Sequence, residues 1–314
     1  MPANPRIDFL VFVHVHYQDI WEEMAQELSK KIDRPFGLVL TRPPNFSRLT
    51  LPDTPFLRFS KEIEVENRGR DVLPFLKALR SELPAVDICL KIHAKRSPHR
   101  TDGVGWRAFM CDSLLSSDSN GLIAYRLLNR EKRIGLLAPE GHLLSLEGRL
   151  ALNRRPMSKM MKALCGEELP FDLEQRRFAA GSMFWFRRSA LVALSNEQVD
   201  RLFPREHGQL DGTAAHAIER LFALLVEREG FVAAGMEAAQ LVLAQLEGSK
   251  DMPHSSLVSI IETSAISSAN PFILPIPGFW RRQRALFLLA HLSYVYLPRP
   301  VTRVLRAILR RVRA

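Results

Sequence analysis

The chain has 314 residues, 46% of them hydrophobic, and a formal net charge of +10. That length and apolar content exclude a disordered chain and leave room for one large or two ordinary domains with ample core. The charge sits at one end: residues 271–314 hold nine arginines and no Asp or Glu, which leaves residues 1–270 with 35 Lys+Arg against 34 Asp+Glu, and a nearly neutral body argues against a nucleic-acid binder.

The N-terminal segment has no basic stretch followed by an apolar one, so no signal peptide is expected and the chain is placed in the cytoplasm. Residues 7–13 form a continuous apolar, β-branched run, the pattern of a strand buried on both faces. His14 and His16 close it. Residues 17–31 carry helical spacing, with Ile20, Trp21, Met24, Leu28 and Ile32 on one face. Residues 36–40 read as a second strand, which completes a βαβ start. Residues 41–55 are proline-rich and polar, a loop, and residues 63–66 alternate as a third strand. Asn67-Arg68-Gly69-Arg70-Asp71 then feeds a helix over 73–83 that Pro84 ends.

Residues 87–93 are the next strand, and Lys91-Ile92-His93-Ala94-Lys95-Arg96-Ser97 finishes it. Helices are predicted over 102–116 and 122–128, and a strand over 133–139. Residues 141–156 form an excursion and 157–165 a helix. Residues 178–186 read as one strand with small residues at its centre, and 189–194 begin a helical pattern. An amphipathic helix follows over 211–228, with a partly helical stretch over 231–247. The serine-containing residues 255–268 read as a linker. Strands and helices alternate almost throughout, so the prediction is an α/β three-layer domain. The boundaries expected are a body over 1–250, a linker over 251–270 and a basic tail over 271–314. Cys89, Cys111 and Cys165 show no metal spacing and read as small core residues of a reducing compartment.

Five groups of residues can carry chemistry. Lys91, His93 and Lys95 alternate, so an extended chain puts them on one face. A buried strand rarely ends in cations unless an anion lies at its carboxyl end, where open α/β sheets bind ligands. A diphosphate fits such a cluster, although a solvated basic loop explains it too. In the Asn67–Asp71 turn, Asp71 is either a helix N-cap or, with Asn67, a ligand to a nucleoside, with Arg70 on phosphate. Ala180-Gly181-Ser182 lets a ligand approach the backbone closely. Asp211 is either a plain N-cap or a general base at a helix start, with His216 and Glu219 on one face beyond it. His14 is a candidate ligand contact or merely a polar strand end. No P-loop, Gly-x-Gly-x-x-Gly or Gly-x-Ser-x-Gly motif is present.

Glu66–Leu76, Lys91–Ser97, Ala180–Trp185 and Asp211–Phe222 resemble, in that order, the rhamnan-synthesis F family of bacterial rhamnose-polysaccharide assembly. The resemblance runs from about residue 14 to 230. It implies a glycosyltransferase with a Rossmann-like sheet similar to the A-type glycosyltransferase fold. It also implies a nucleotide-sugar donor, dTDP-rhamnose, and a lipid-linked glycan acceptor. Asp211, His216 and Glu219 become the catalytic candidates. His14, Asn67, Gly69, Arg70, Asp71, Lys91, His93, Lys95, Arg96, Gly181 and Ser182 become the donor-binding ones. A-type enzymes usually place Asp-x-Asp after a central strand to hold a divalent metal. Here Lys91-Ile92-His93-Ala94-Lys95 stands in that place, so no metal site is assigned and cations take over the metal's charge. The competing class is a non-catalytic glycan-binding or scaffold protein of the same pathway.

The tail has its own pattern. Residues 285–298 are uncharged, too short a run for the ~20 residues of a bilayer span. Residues 301–312 put Val301, Val304, Leu305 and Leu309 on one side and Arg303, Arg306 and Arg310 on another. That is an interfacial helix suited to an anionic membrane surface, which places the protein at the inner face of the cell membrane. A helical arm packed on the body is the other reading.

Overall fold

The computed structural model of the chain describes residues 6–44, 46, 48–94, 102–205, 211–248, 252–267, 270–273 and 283–297. The first strands are β1 (Phe9–Val15), β2 (Phe36–Arg42), β3 (Leu57–Glu64) and β4 (Ile88–Ala94). Two short pairs involve β5 (Ser117–Asp118), β6 (Gly121–Leu122), β8 (Leu143–Ser145) and β9 (Arg177–Ala179). With β7 (Ile134–Ala138), β10 (Phe184–Arg187) and β11 (Val232–Gly235), the first four strands build a seven-stranded sheet in the order β11-β7-β10-β4-β1-β2-β3. The fold is thus a mixed α/β one, with helices on both faces of that sheet.

β1, β2, β3 and β4 pair in parallel, and β10 runs antiparallel between β4 and β7. The chain goes from β1 outward to β2 and β3, then returns to place β4 on the other side of β1. The strand order therefore reverses between β1 and β4, the kind of place where open α/β sheets bind ligands.

Alternation along the strands sorts the core into two layers. Phe12, Cys89, Phe184 and Phe186 face α2 (Val72–Arg80), α5 (Arg154–Cys165) and α6 (Ala214–Arg228). Val11, Val13, Leu90, Ile92 and Trp185 face α1 (Gln18–Lys31), α3 (Gly103–Leu114), α4 (Ile123–Arg130), α7 (Ala239–Gly248) and α8 (His254–Ser267). Edge-on aromatic contacts tie the first layer together, with Phe12 and Phe75 centroids 5.6 Å apart and Phe184 and Phe222 4.8 Å apart. On the other face the Trp185 indole N–H donates to the Leu114 carbonyl at 2.8 Å. Buried Arg187 ends β10 by donating to the Ile134 carbonyl at 3.0 Å and to Asp87 at 3.1 Å.

Three expectations give way. The single strand over 178–186 is two, β9 and β10, because left-handed backbone at Gly181 (φ 88°) and Ser182 (φ 57°) turns the chain between them. The third strand starts earlier, at Leu57, since its outward residues Arg58 and Ser60, and Lys61 on its other face, hide the pattern of an edge strand. The stretch 255–268 is no linker: α8 forms there and buries Leu257, Ile261 and Ser264 on one helical face. A last helix, α9 (Arg284–Tyr296), lies in the tail. The amphipathic pattern of 301–312 lies outside the described residues. Among the described residues, no helix is long and apolar enough to cross a membrane. Cys89 is buried, while Cys111 and Cys165 are half-buried, and all three are free thiols.

Candidate functional site

Among the described residues, a first group of candidates follows the carboxyl ends of β1, β3 and β4. His14 and His93 are register partners on β1 and β4, one on each side of the switch point. His14 is buried, with Nδ1 3.0 Å from the Thr41 hydroxyl of β2. Burial pushes its pKa down to about 3 against the pull of Asp71, with His16, His93 and Lys91 adding to the depression, so the imidazole is neutral near pH 7.

Lys91 shares the His93 side of β4 but points inward, with 1% of its surface exposed. Its ammonium donates to Asp71 Oδ2 at 2.8 Å, to the Ser182 carbonyl at 2.6 Å and to Ser182 Oγ at 2.9 Å. Those three bonds use all three of its protons. The rings of Phe75, Phe184 and Phe222 surround it at 5.3–5.9 Å. The expected alternation is present, yet Lys91 is not laid out as a phosphate contact, because its charge is consumed inside. Asp71 is likewise not a capping side chain. It sits in helical backbone before α2, makes no cap hydrogen bond, and spends its carboxylate on Lys91.

The bonds of Lys91 fix two turns that share one uncommon geometry. Gly69-Arg70 has φ of 70° and 55°, and Gly181-Ser182 has 88° and 57°. Left-handed Arg70 and Ser182 cost on the order of 1–3 kcal/mol each, a cost that persists only where surroundings enforce it. Asp71 follows Arg70 directly, and Ser182 is itself the second anchor. A Cβ on Gly69 would lie 2.6 Å from the Phe203 ring, and one on Gly181 2.7 Å from Met110 Sδ and 3.3 Å from the Trp106 ring. Gly181 also joins two candidates: its carbonyl accepts from His93 Nε2 at 3.0 Å, and its N–H donates to Glu219 at 2.9 Å. Asn67 is exposed on the loop before α2, and Arg70 is half-buried beside it. Lys95 and Arg96 lie outside the described residues.

A second group sits at the start of α6. Gly212, at φ 73°, separates Asp211 from the helix, so the N-cap is Thr213 and not Asp211. His216 completes a capping box: its Nδ1 accepts the Thr213 N–H at 3.4 Å and lies 2.9 Å from Thr213 Oγ1. That use explains why a histidine is buried there. Asp211 Oδ1 accepts from Asn153 Nδ2 at 2.7 Å and lies 3.8 Å from the Arg220 guanidinium, while Oδ2 is 2.8 Å from His291 Nε2 on α9. Burial pushes Asp211 up, but His291, Arg220 and Asn153 outweigh it and hold the carboxyl well below its ordinary range. Arg220 also donates to the His216 carbonyl at 3.0 Å, which links the two candidates.

Sequence reasoning missed Thr41, Trp106, Met110, Asn153, Arg220 and His291. Arg220 alone carried a signal, since it follows Glu219 in a quoted motif. The place of an Asp-x-Asp pair does not fit a divalent cation. Lys91 occupies it with a charge already neutralised by Asp71, and among the described residues no group of three or more His, Cys, Asp or Glu is arranged to hold a metal ion.

Fold and site together define a mixed α/β protein with its polar side chains collected at a strand-order switch point. The chain belongs to the Rhamnan synthesis protein F family, which it matches over residues 4–231. The family associates it with surface-polysaccharide synthesis. Two uncharacterized proteins named WxcX, from two strains of Xanthomonas campestris pv. campestris, are similar to it. Each is 34% identical over 225 residues, covering 70% of this chain and 31% of the relative. The chain thus spans about a third of the length of the curated relatives it matches.

Proposed function

We propose that the chain is a glycosyltransferase of bacterial surface-polysaccharide synthesis, which moves a deoxyhexose, rhamnose, from dTDP-rhamnose to a lipid-linked glycan acceptor. The observation that carries this reading is the placement of His14 and His93 side by side at the ends of β1 and β4, with the Gly181-Ser182 turn bonded to His93 and Lys91. The parallel order β3-β2-β1-β4 supports a Rossmann-like, A-type-like nucleotide site, because ligands of such sheets bind at the reversal. Arg70 and His93 face the diphosphate, with Lys95 and Arg96 of the following segment. Asn67 meets the nucleoside. Lys91 and Asp71 act by positioning the turns, and Gly181 holds His93 and Glu219 beside the donor through its carbonyl and its N–H. Cations stabilise the departing diphosphate.

Asp211 takes the proton of the acceptor hydroxyl. Asn153 and Arg220 orient its Oδ1, and the acceptor hydroxyl replaces the His291 N–H on Oδ2. Glu219 holds the donor-side turn through Gly181, and His216 holds the helix start. The basic tail brings the protein to the inner face of the cell membrane. The alternative is a non-catalytic glycan-binding or scaffold protein of the same pathway. It draws on one observation, the cover that His291 places on Asp211.

A donor-hydrolysis and transfer screen over nucleotide sugars, with and without a chelator, tests the proposal. Native protein should turn over dTDP-rhamnose, and Asp211→Asn should lose about 10²–10⁴ of the rate. Donor binding without turnover would move the chain to the alternative class.

A further inference from the structure

We propose that a cavity at the amino end of β4 binds a small aliphatic carboxylate, and that Arg188 takes its charge. The cavity has a volume of about 440 Å³. It lies among the end of α2, the loop before β4 and the 3₁₀ stretch Ser189–Ser195 that follows β10. Leu79, Val86, Leu191 and Val192 supply its apolar wall. Six extended residues separate Asp87, at the cavity, from His93, at the candidate donor site, a distance of about 20 Å. The cavity is therefore at the opposite edge of the sheet. Its occupant does not compete with a nucleotide, and the site stands without the transferase reading.

Charge decides the class of ligand. Arg80, Asp87 and Arg188 line the cavity, and the first two are already neutralised. Arg80 donates to Asp200 at 2.7 Å and to the Leu194 and Asn196 carbonyls at 2.8 and 2.9 Å. Asp87 accepts from Arg187 at 3.1 Å and from the Ser189 N–H at 3.0 Å. Arg188 differs: its side chain donates from Nη1 to the Pro84 carbonyl at 3.0 Å, and among the described residues no carboxylate pairs with it. That bond steadies the guanidinium and leaves its Nε–Nη2 edge, the fork that matches a carboxylate, for a ligand. Apolar walls with one placed charge, in a volume of about 300–1,000 Å³, are the usual form of a small-molecule site. A protein partner needs an apolar rim as well, since a stable interface buries roughly 800 Å² on each side. Here Val192, 53% exposed, is the one large apolar side chain of the lining that is exposed. Leu79 and Val86 are half-buried and Leu191 is buried, so the apolar surface lies inside the cavity and not around it.

The test is a ligand-observed NMR titration of the full chain with octanoate, octanamide, acetate and the peptide acetyl-glycyl-leucine. Octanoate should bind saturably, and at least about tenfold more tightly than octanamide, its uncharged counterpart. Acetate, which has the charge without the chain, should also be weaker by about tenfold or more. The peptide carries a carboxylate on an apolar group and stands for a protein terminus. It should bind more weakly than octanoate, because its amides lose water against an apolar wall. Arg188→Gln should bring octanoate down to the affinity of octanamide. Val192→Asp should lose about tenfold or more for both, with its thermal melt unchanged because that side chain is already exposed. Octanoate that does not saturate, equal affinity for octanoate and octanamide, native binding in either variant, or tighter binding of the peptide would overturn the proposal.

Discussion

Lys91 Nζ lies 2.8 Å from Asp71 Oδ2 in the core between β4 and α2, and the pair locks the two left-handed turns at Gly69-Arg70 and Gly181-Ser182. Removing the lysine strands a buried carboxylate. Lys91→Met should lower the unfolding free energy in urea by about 3 kcal/mol with little change in slope. Adding Asp71→Asn should recover about 1 kcal/mol or more, since the stranded charge is gone. A loss under about 1 kcal/mol in the single variant would mean that the pair does not hold the turns.

His14 gives the fold a pH dependence. Its folded pKa of about 3 lies below the ordinary 6.5, so the folded protein keeps it neutral while the unfolded chain takes up a proton below that value. Its contribution is therefore complete above pH 6.5 and shrinks as pH falls toward the folded value. Between about pH 6.5 and about pH 5 the loss should be roughly 2 kcal/mol, at 1.36 kcal/mol per unit. His14→Asn keeps a polar partner for Thr41 and should flatten that slope, as read from urea curves across pH. Parallel slopes in the two proteins would contradict the assignment.

Gly181→Ala separates two costs at one position. The φ of 88° strains any side chain, and the new Cβ meets Met110 Sδ at 2.7 Å. The variant should lose about 1–3 kcal/mol in thermal or urea unfolding. Met110→Ala in the Gly181→Ala background should relieve the contact but not the backbone strain. The double variant should therefore lose less than the two single losses added together. Full additivity would place Met110 away from the turn.

Much of the sheet was legible because β1, β2, β4 and β7 open on continuous apolar runs, and burial on both faces leaves such runs little else to be. The β9–β10 turn was not legible, because Ala180-Gly181-Ser182 sits inside an apolar stretch and its left-handed Ser182 is enforced from afar by Lys91. Serines hid α8, although Leu257 and Ile261 stand four residues apart as a helix requires. At the site, strand-end residues such as His14 and His93 could be placed together from their two strands. The Lys91–Asp71 pair could not, since a sequence shows that a cation is present but not that a carboxylate twenty residues away consumes it. The contact between Asp211 and His291 spans 80 residues and has no local signature at all.

The central claim is that the carboxyl ends of β1 and β4 bind a nucleoside diphosphate, and titration calorimetry with dTDP and UDP tests it most directly. Native protein should bind dTDP. Arg70→Ala should weaken that binding by roughly 1.5–3 kcal/mol, the scale of charge-assisted hydrogen bonds, and Lys95→Ala should do likewise. Absence of binding to either nucleotide, or native affinity in both variants, would contradict it.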